Sequence, residues 1–391
     1  MSRAALVAAM WLLLTGPGLG HAAEPGPLVR LRLRGSDVSG FVERWLPLLP
    51  DRLAGPLAAE LAVRRAEVEA SHALEISCDR SGVVTLLPRA EAPAEWPAGS
   101  SLEMAGDSLG DKDSPWFEPI GGSLSFTARE SRLHLEATPH FALGNPLLWL
   151  TPMLQGLQVH TAEALPRNAF AALMVEWKMT AALLALIPEQ AGKDDVFLPS
   201  FGLENPKPLL TALAGGAGLA LLDFDPERET QPETLLVLRT AARDDAAKAM
   251  SAWETRLAAG YGLRWEALRS GAHELRAAPV PILQGAYPAY AFADDYLIVG
   301  YTPGTVATSL AALDDGTSLA PALARDGDGF AVFYLDFQRL KQVNAHLTAQ
   351  RSQGKRTYTP GPAYERSESL VVRLRAEKGK YFLDATLRAR R

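Results

Sequence analysis

The chain of 391 residues offers seven histidines and one cysteine from which thiol, metal or acid–base chemistry would have to be assembled. Cys78 has His72 six residues upstream on a stretch that alternates like a strand, so the two side chains would point to one face. Nothing near Cys78 would lower a thiol pKa, however, and the residue reads as a small buried hydrophobe. His134 and His140 flank a strand end and His160 follows, while His273-Glu274 lacks the second histidine of a zinc helix. No metal site is therefore expected. Asp326-Gly327-Asp328-Gly329 hints at a calcium loop, yet the chain enters an apolar strand at Phe330 where further ligands would be needed. It reads as a turn. The aspartate pairs beginning at 194, 244, 294 and 314 all stand at turns or helix starts, where capping explains them better than paired-carboxylate catalysis. Gly215-Gly216-Ala217-Gly218 resembles part of a dinucleotide loop, but it follows a helix and precedes a strand, the reverse of what aims a helix N-terminus at phosphate. It reads as a helix stop. No Gly-Lys-Ser/Thr phosphate loop and no serine elbow between glycines occurs, so neither a cofactor nor a catalytic residue is assigned.

The N-terminus carries an address. Arg3 supplies a positive start, Ala4 to Leu14 an apolar core, and Gly20-His21-Ala22-Ala23 a small-residue cleavage zone. This pattern predicts a signal peptide over 1–22, cut near Ala22 or Ala23, and a periplasmic or secreted destination. Eleven apolar residues reach only about 16 Å as a helix, against a hydrocarbon core of about 30 Å. No later run is longer: Met179 to Ile187, the most apolar stretch, is closed by Lys178 and by Pro188-Glu189. No transmembrane span is expected in the mature chain. Hydrophobic content of 48% with 21% charged residues marks an ordinary globular composition. Losing Arg3 with the leader takes the formal charge from −6 to −7, an acidic balance that argues against nucleic acid as partner. The single cysteine excludes an internal disulfide.

Periodicity supplies the elements. Leu28 to Arg34 alternates as a strand, and a helix follows from Ser36 or Asp37 with Val38, Phe41, Val42 and Trp45 on one side. Ser123 to Ala128 and Arg132 to Thr138 read as a hairpin. The order strand, helix, hairpin returns at Phe330 to Leu335, the helix after Asp336, and Leu370 to Ala376 with Lys380 to Ala389 turning at Lys378-Gly379. A third version is Phe170 to Trp177, a helix over Met179 to Ile187, and Gly218 to Phe224 with Thr234 to Thr240. Between them Asp244-Asp245 would cap a helix ended by Gly260 and Gly262, followed by hairpins 263–277 and 290–301 and a helix opened by Thr302-Pro303. Pro88 to Pro119 reads as an irregular excursion.

The expected fold class is thus α+β: antiparallel sheets covered by helices, built from about three diverged strand-helix-hairpin units. The expected organisation is an N-terminal domain over 23–165 and a C-terminal region over 166–391 holding two related units and an inserted helix-hairpin-hairpin-helix segment. Trp177 and Phe337 would then be equivalent, both buried at strand-to-helix junctions.

The run Tyr290-Ala291-Phe292-Ala293-Asp294-Asp295-Tyr296-Leu297-Ile298-Val299-Gly300-Tyr301-Thr302-Pro303, with Thr317-Ser318-Leu319-Ala320 after it, resembles a segment of exported bacterial envelope proteins classed as a domain of unknown function. The resemblance spans roughly 166–390. It implies an envelope location and carries no catalytic residues.

Two functional classes follow. The favoured expectation is a non-enzymatic envelope protein, a scaffold or a carrier of an apolar ligand, with a lipid, another apolar molecule or an envelope protein as partner. The alternative is a hydrolase of unrecognised type whose site is assembled from distant loops. The carrier reading rests on surplus apolar surface, and its expected ligand contacts are Trp149, Met153, Leu157, Met174, Met179 and Leu183, since methionine and leucine repack readily around varied chains.

Overall fold

Leucine or isoleucine alternates with charged or polar residues along Val29–Arg34 (β1) and Ala73–Cys78 (β2), which gives each strand one apolar and one polar face. That alternation sets the architecture of half the molecule. The computed structural model describes residues 29–35, 38, 51–79, 83–96, 100–105, 117–126, 130–139, 146–178, 207–222, 232–280, 287–324, 328–359 and 367–389. The leader, most of the helix expected after Asp37, the helix expected over Met179 to Ile187 and the loop Gly354 to Pro362 beyond 359 lie outside them. The chain divides into two compact units, residues 1–151 with 360–391, and residues 152–359.

The first unit also contains α1 (Asp51–Ala70), β3 (Val84–Arg89), β4 (Ser100–Ala105), β5 (Phe117–Phe126), β6 (Glu130–Pro139), β15 (Ser367–Glu377) and β16 (Lys380–Ala389). Its strands pair antiparallel in the order β3-β2-β1-β4-β5-β6-β16-β15. Leu31, Leu33, Leu74, Ile76 and Leu102 share the apolar face. Helix α1 packs by β3 and buries its Leu61 and Val68. The opposite face needs no such cover because its charges answer one another. Arg32 reaches Glu103 at 2.6 Å and Glu75 at 3.3 Å, and Lys380 reaches Glu136 at 2.6 Å.

The second unit runs through β7 (Ala169–Glu176), α3 (Lys207–Ala212), β8 (Leu213–Leu222), β9 (Glu233–Thr240), α4 (Arg243–Tyr261), β10 (Glu266–Ser270), β11 (His273–Ala277), β12 (Ala289–Ala293), β13 (Tyr296–Gly300), α5 (Pro303–Asp315), α6 (Ala320–Leu323), β14 (Ala331–Asp336) and α7 (Phe337–Arg351). The division between units falls inside α2 (Pro146–Leu154). Strand order is β14-β7-β8-β9-β13-β12-β11-β10, with antiparallel pairing. One face holds the core: Met174, Leu235, Val237 and Ile298 are buried there, and α5 closes on it with Val306 and Leu310. Burying each such side chain contributes about 1.5–3 kcal/mol. The start of α5 is fixed by Thr302, whose hydroxyl accepts from the Thr305 amide, and both hydroxyls donate to Glu233 at 2.6 Å. Asp336 likewise caps α7 through the amides of Gln338 and Arg339.

Several expectations are corrected. The fold is not α+β with helices covering the sheets: 44% of the described residues are strand against 33% helix, so antiparallel sheet is the body of the protein. On β6 and β16 nearly every described residue is partly exposed on both faces, so helix cover is sparse there among the described residues, with Thr151 of α2 meeting the Tyr381 hydroxyl at 2.8 Å. The physical reason is the charge ladder, which satisfies a sheet face without a helix. Nor does the first strand-helix-hairpin unit exist, since β2, β3 and β4 intervene and β4 sits between β1 and the β5–β6 hairpin. Trp177 and Phe337 each directly follow a strand, but both are half-buried rather than buried. The stretch Pro88 to Pro119 contains β4, a strand whose short apolar content is hidden between glycines and prolines. Helix α4 begins at Arg243 with Ala242 as its N-cap, so Asp244 and Asp245 occupy its first turn instead; Gly262 ends it with φ 66°.

Candidate functional site

Strand β7 is apolar on both parities, Phe170-Ala171-Ala172-Leu173-Met174-Val175, so it requires apolar cover on two faces or leaves one open. One is open. Phe333, Leu173, Leu219, Leu236 and Val299 stand directly opposite one another on β14, β7, β8, β9 and β13, forming a row across the sheet. Leu173 is 47%, Leu219 43% and Phe333 36% exposed. Beside the row, α7 packs its Leu340, Val343 and Leu347 on Phe170, Ala171 and Leu221.

At the β13 end α4 closes over the sheet. Met250 and Trp253 pack against Leu238, Leu297, Val299, Tyr290 and Phe292. Between α3, α4 and the sheet lies a cavity of about 230 Å³ whose floor is Leu236, Leu238, Leu297 and Val299. Leu209 and Trp253 form its walls, and Arg256 is the one charged residue among the described residues that line it. The row and the cavity share Leu236 and Val299, so they form one apolar surface.

The wall of the cavity is held from behind. Trp253, Trp265, Tyr290 and Phe292 form a chain of tilted ring contacts with centroids 5.4 to 6.0 Å apart. Glu254, one residue from Trp253, accepts both Arg276 Nε at 2.9 Å and Nη2 at 3.0 Å, and also the Tyr290 hydroxyl at 2.6 Å. Burial raises the Glu254 carboxyl, but the hydrogen bonds from Arg276 and Tyr290 outweigh it and its pKa falls below the ordinary carboxylate range. Burial, then the bond to Glu254, pushes the Tyr290 phenol well up.

A fully buried charge is Glu176, 2% exposed, which accepts Arg239 Nη1 at 3.1 Å and the His160 amide at 3.0 Å. The glycine run is built around it. Gly215 and Gly216 lie within β8, just after α3 ends at Ala212, and a side chain on Gly216 would enter the Glu176 carboxylate. The run serves packing and ends no loop around a phosphate.

Polar convergence of a hydrolytic kind is closest at His134. Ser123, His134 and Asp384 are in register on β5, β6 and β16 and share a face; His134 Nδ1 lies 2.6 Å from Asp384 Oδ1. Asp384 Oδ2 accepts Arg375 Nε at 2.8 Å, and both His134 and Arg375 stack on Phe382. These three strands are each paired on both sides, so their amides are engaged in the ladder and supply no oxyanion donors. The arrangement acts as a brace across the sheet. Among the described residues no group of three His, Cys, Asp or Glu side chains is placed to hold a metal ion. Among them, too, no helix is long and apolar enough to cross a membrane.

Of the six residues expected to touch ligand, the described residues place the side chains of Met153, Leu157 and Met174. Met153 is buried and Leu157 half-buried; Met174 is fully buried opposite Gly218, on the sheet face away from the exposed row. The side chains of Trp149 and of Cys78, and the residues Met179 and Leu183, lie outside the described set. The residues that do form the surface, Leu173, Leu219, Leu236 and Phe333, were signalled by strands lacking polar alternation.

No protein-family model matches the chain, and no curated protein matches it. Its fold has distant likenesses among solved structures. Crystal form I of TP0453 is similar over 58% of this chain and 77% of that one, at 10% identity and a TM-score of 0.29. Crystal form IV of the same protein is similar over 57% and 79%, at 10% identity and a TM-score of 0.30.

Proposed function

We propose that this protein is a non-enzymatic carrier of an apolar ligand, exported to the bacterial envelope, and that the ligand lies on the open sheet face of the second unit. The observation that carries the reading is the register of Leu173, Leu219 and Phe333: three large, strongly exposed apolar side chains in one unbroken row that continues into an apolar cavity. Contiguous exposed apolar surface of this kind marks ligand or partner sites. Covering what remains exposed of these three would contribute about 1 kcal/mol each, before the cavity is counted. Support for export is the leader pattern over residues 1–22.

The test is displacement of a fluorescent long-chain fatty acid from the purified protein, alongside native mass spectrometry of protein taken from its own envelope. Leu219→Asp should abolish probe binding with little change in Tm, because the side chain is already solvated. Leu87→Asp, at a position 39% exposed on β3 of the first unit, should leave binding intact. Equal loss in both variants, or no binding by the unaltered protein, would overturn the reading.

A further inference from the structure

The row has a length and the cavity has a charge, and together they select a ligand within the carrier reading, on which this inference rests. From Val299 on β13 to Phe333 on β14 there are four strand spacings, about 19 Å at about 4.8 Å each. One acyl chain spans about 15 Å of a leaflet, half of the roughly 30 Å hydrocarbon core. An extended chain of membrane-lipid length therefore fits along the row. Strand side chains there offer it no polar partner, since every member from Val299 to Phe333 is apolar.

At the cavity end Arg256 is exposed on α4, three residues beyond Trp253 and on the lining of the same cavity. Arg256 has a contact of its own, but a guanidinium carries five N–H donors, so it can also give charge-assisted hydrogen bonds to a ligand carboxylate, which a neutral ester matches less well. We infer that the ligand is a long-chain fatty acid whose carboxylate meets Arg256 and whose chain crosses the sheet over Val299, Leu236, Leu219 and Leu173 towards Phe333.

The test uses the full chain and a displacement series of saturated fatty acids from short to long, each with its methyl ester. Affinity should climb with chain length and level off for chains that reach Phe333. Phe333→Asp should move that plateau to shorter chains, with short-chain affinity unchanged. Arg256→Gln should lower fatty-acid affinity about tenfold and leave the esters unaffected. Tm and circular dichroism of each variant confirm that it folds. Esters that displace the probe as well as acids, or a plateau that Phe333→Asp does not move, would overturn this inference while leaving a carrier of other ligands intact. If no chain displaces the probe and none binds, the carrier reading itself fails.

Discussion

The carboxylate of Glu176 occupies the space that a side chain on Gly216 would need. The two residues face each other on β7 and β8, and a Cβ on Gly216 would come within 2.6 Å of Glu176 Oε2. Glu176 has nowhere cheap to go, because it is buried and its oxygens already hold Arg239 and the His160 amide. Gly216→Ala should therefore cost about 2–4 kcal/mol, combining overpacking with a disturbed buried ion pair. Denaturant unfolding measures it. In a Glu176→Ala background the same substitution should cost at least about 1 kcal/mol less, since the obstructing group is gone.

Removing the other partner has a different signature. Arg239→Met leaves Glu176 buried with only an amide to answer its charge, and a loss of about 3–5 kcal/mol is expected. Glu176→Gln in that background should recover part of the loss, because a neutral amide is easier to bury than an unpaired carboxylate. Failure of this recovery would show that Arg239 acts mainly by packing.

The Glu254 cluster predicts two pH limbs. A carboxyl whose pKa is depressed on folding adds stability that is present above the unfolded value of about 4.3 and is lost as pH falls through the folded value. Glu254→Gln should thus differ from the unaltered protein at about pH 7 and converge with it once the pH has fallen below the folded value. The phenols go the other way. Tyr290, raised by burial and the bond to Glu254, and Tyr296, raised by burial and the neighbouring Glu163 charge, add stability that is intact below about pH 10 and is lost as pH climbs towards their folded values. Tyr290→Phe and Tyr296→Phe should flatten that alkaline limb in a titration of Tm.

Local signals were legible where one residue decides the geometry. Thr302-Pro303 opens α5 and Asp336 caps α7 because a hydroxyl or carboxylate can reach amides two or three residues on whatever the rest of the chain does. Asp294 and Lys378-Gly379 turn hairpins at positive φ for the same local reason. What escaped depends on distant partners. That Lys380 meets Glu136 and Asp384 meets His134 is a matter of which hairpins lie side by side, and this pairing is what dispenses with a helix layer. The candidate site escaped similarly: Met174 and Leu173 are equally apolar in sequence, and what packs on each face, with Thr161 and Leu165 lying at Gly218 opposite Met174, decides which is core.

Export gives a prediction at the other end of the chain. Protein recovered from the envelope should begin at Ala23 or Glu24, the positions that follow the small-residue zone. N-terminal sequencing that returned Met1 would refute the leader.

Neighbouring residues on β7 should separate stability from binding. Met174 is fully buried, facing Gly218 on the core side, whereas Leu173 is 47% exposed between Phe333 and Leu219 on the open side. Truncating Met174 to alanine leaves a cavity in a fully buried layer, and about 2–5 kcal/mol should be lost. Truncating Leu173 removes atoms that water already reaches, and stability should change by less than about 1 kcal/mol. Ligand affinity should respond in the opposite order: Leu173→Ala weakens binding of a long-chain probe severalfold, while Met174→Ala leaves it near the original value as long as the protein is folded. Unfolding curves and probe titrations on the same two variants make the comparison. A Leu173→Ala protein that is much less stable, or that binds unchanged, would mean that the open row is covered by something other than ligand.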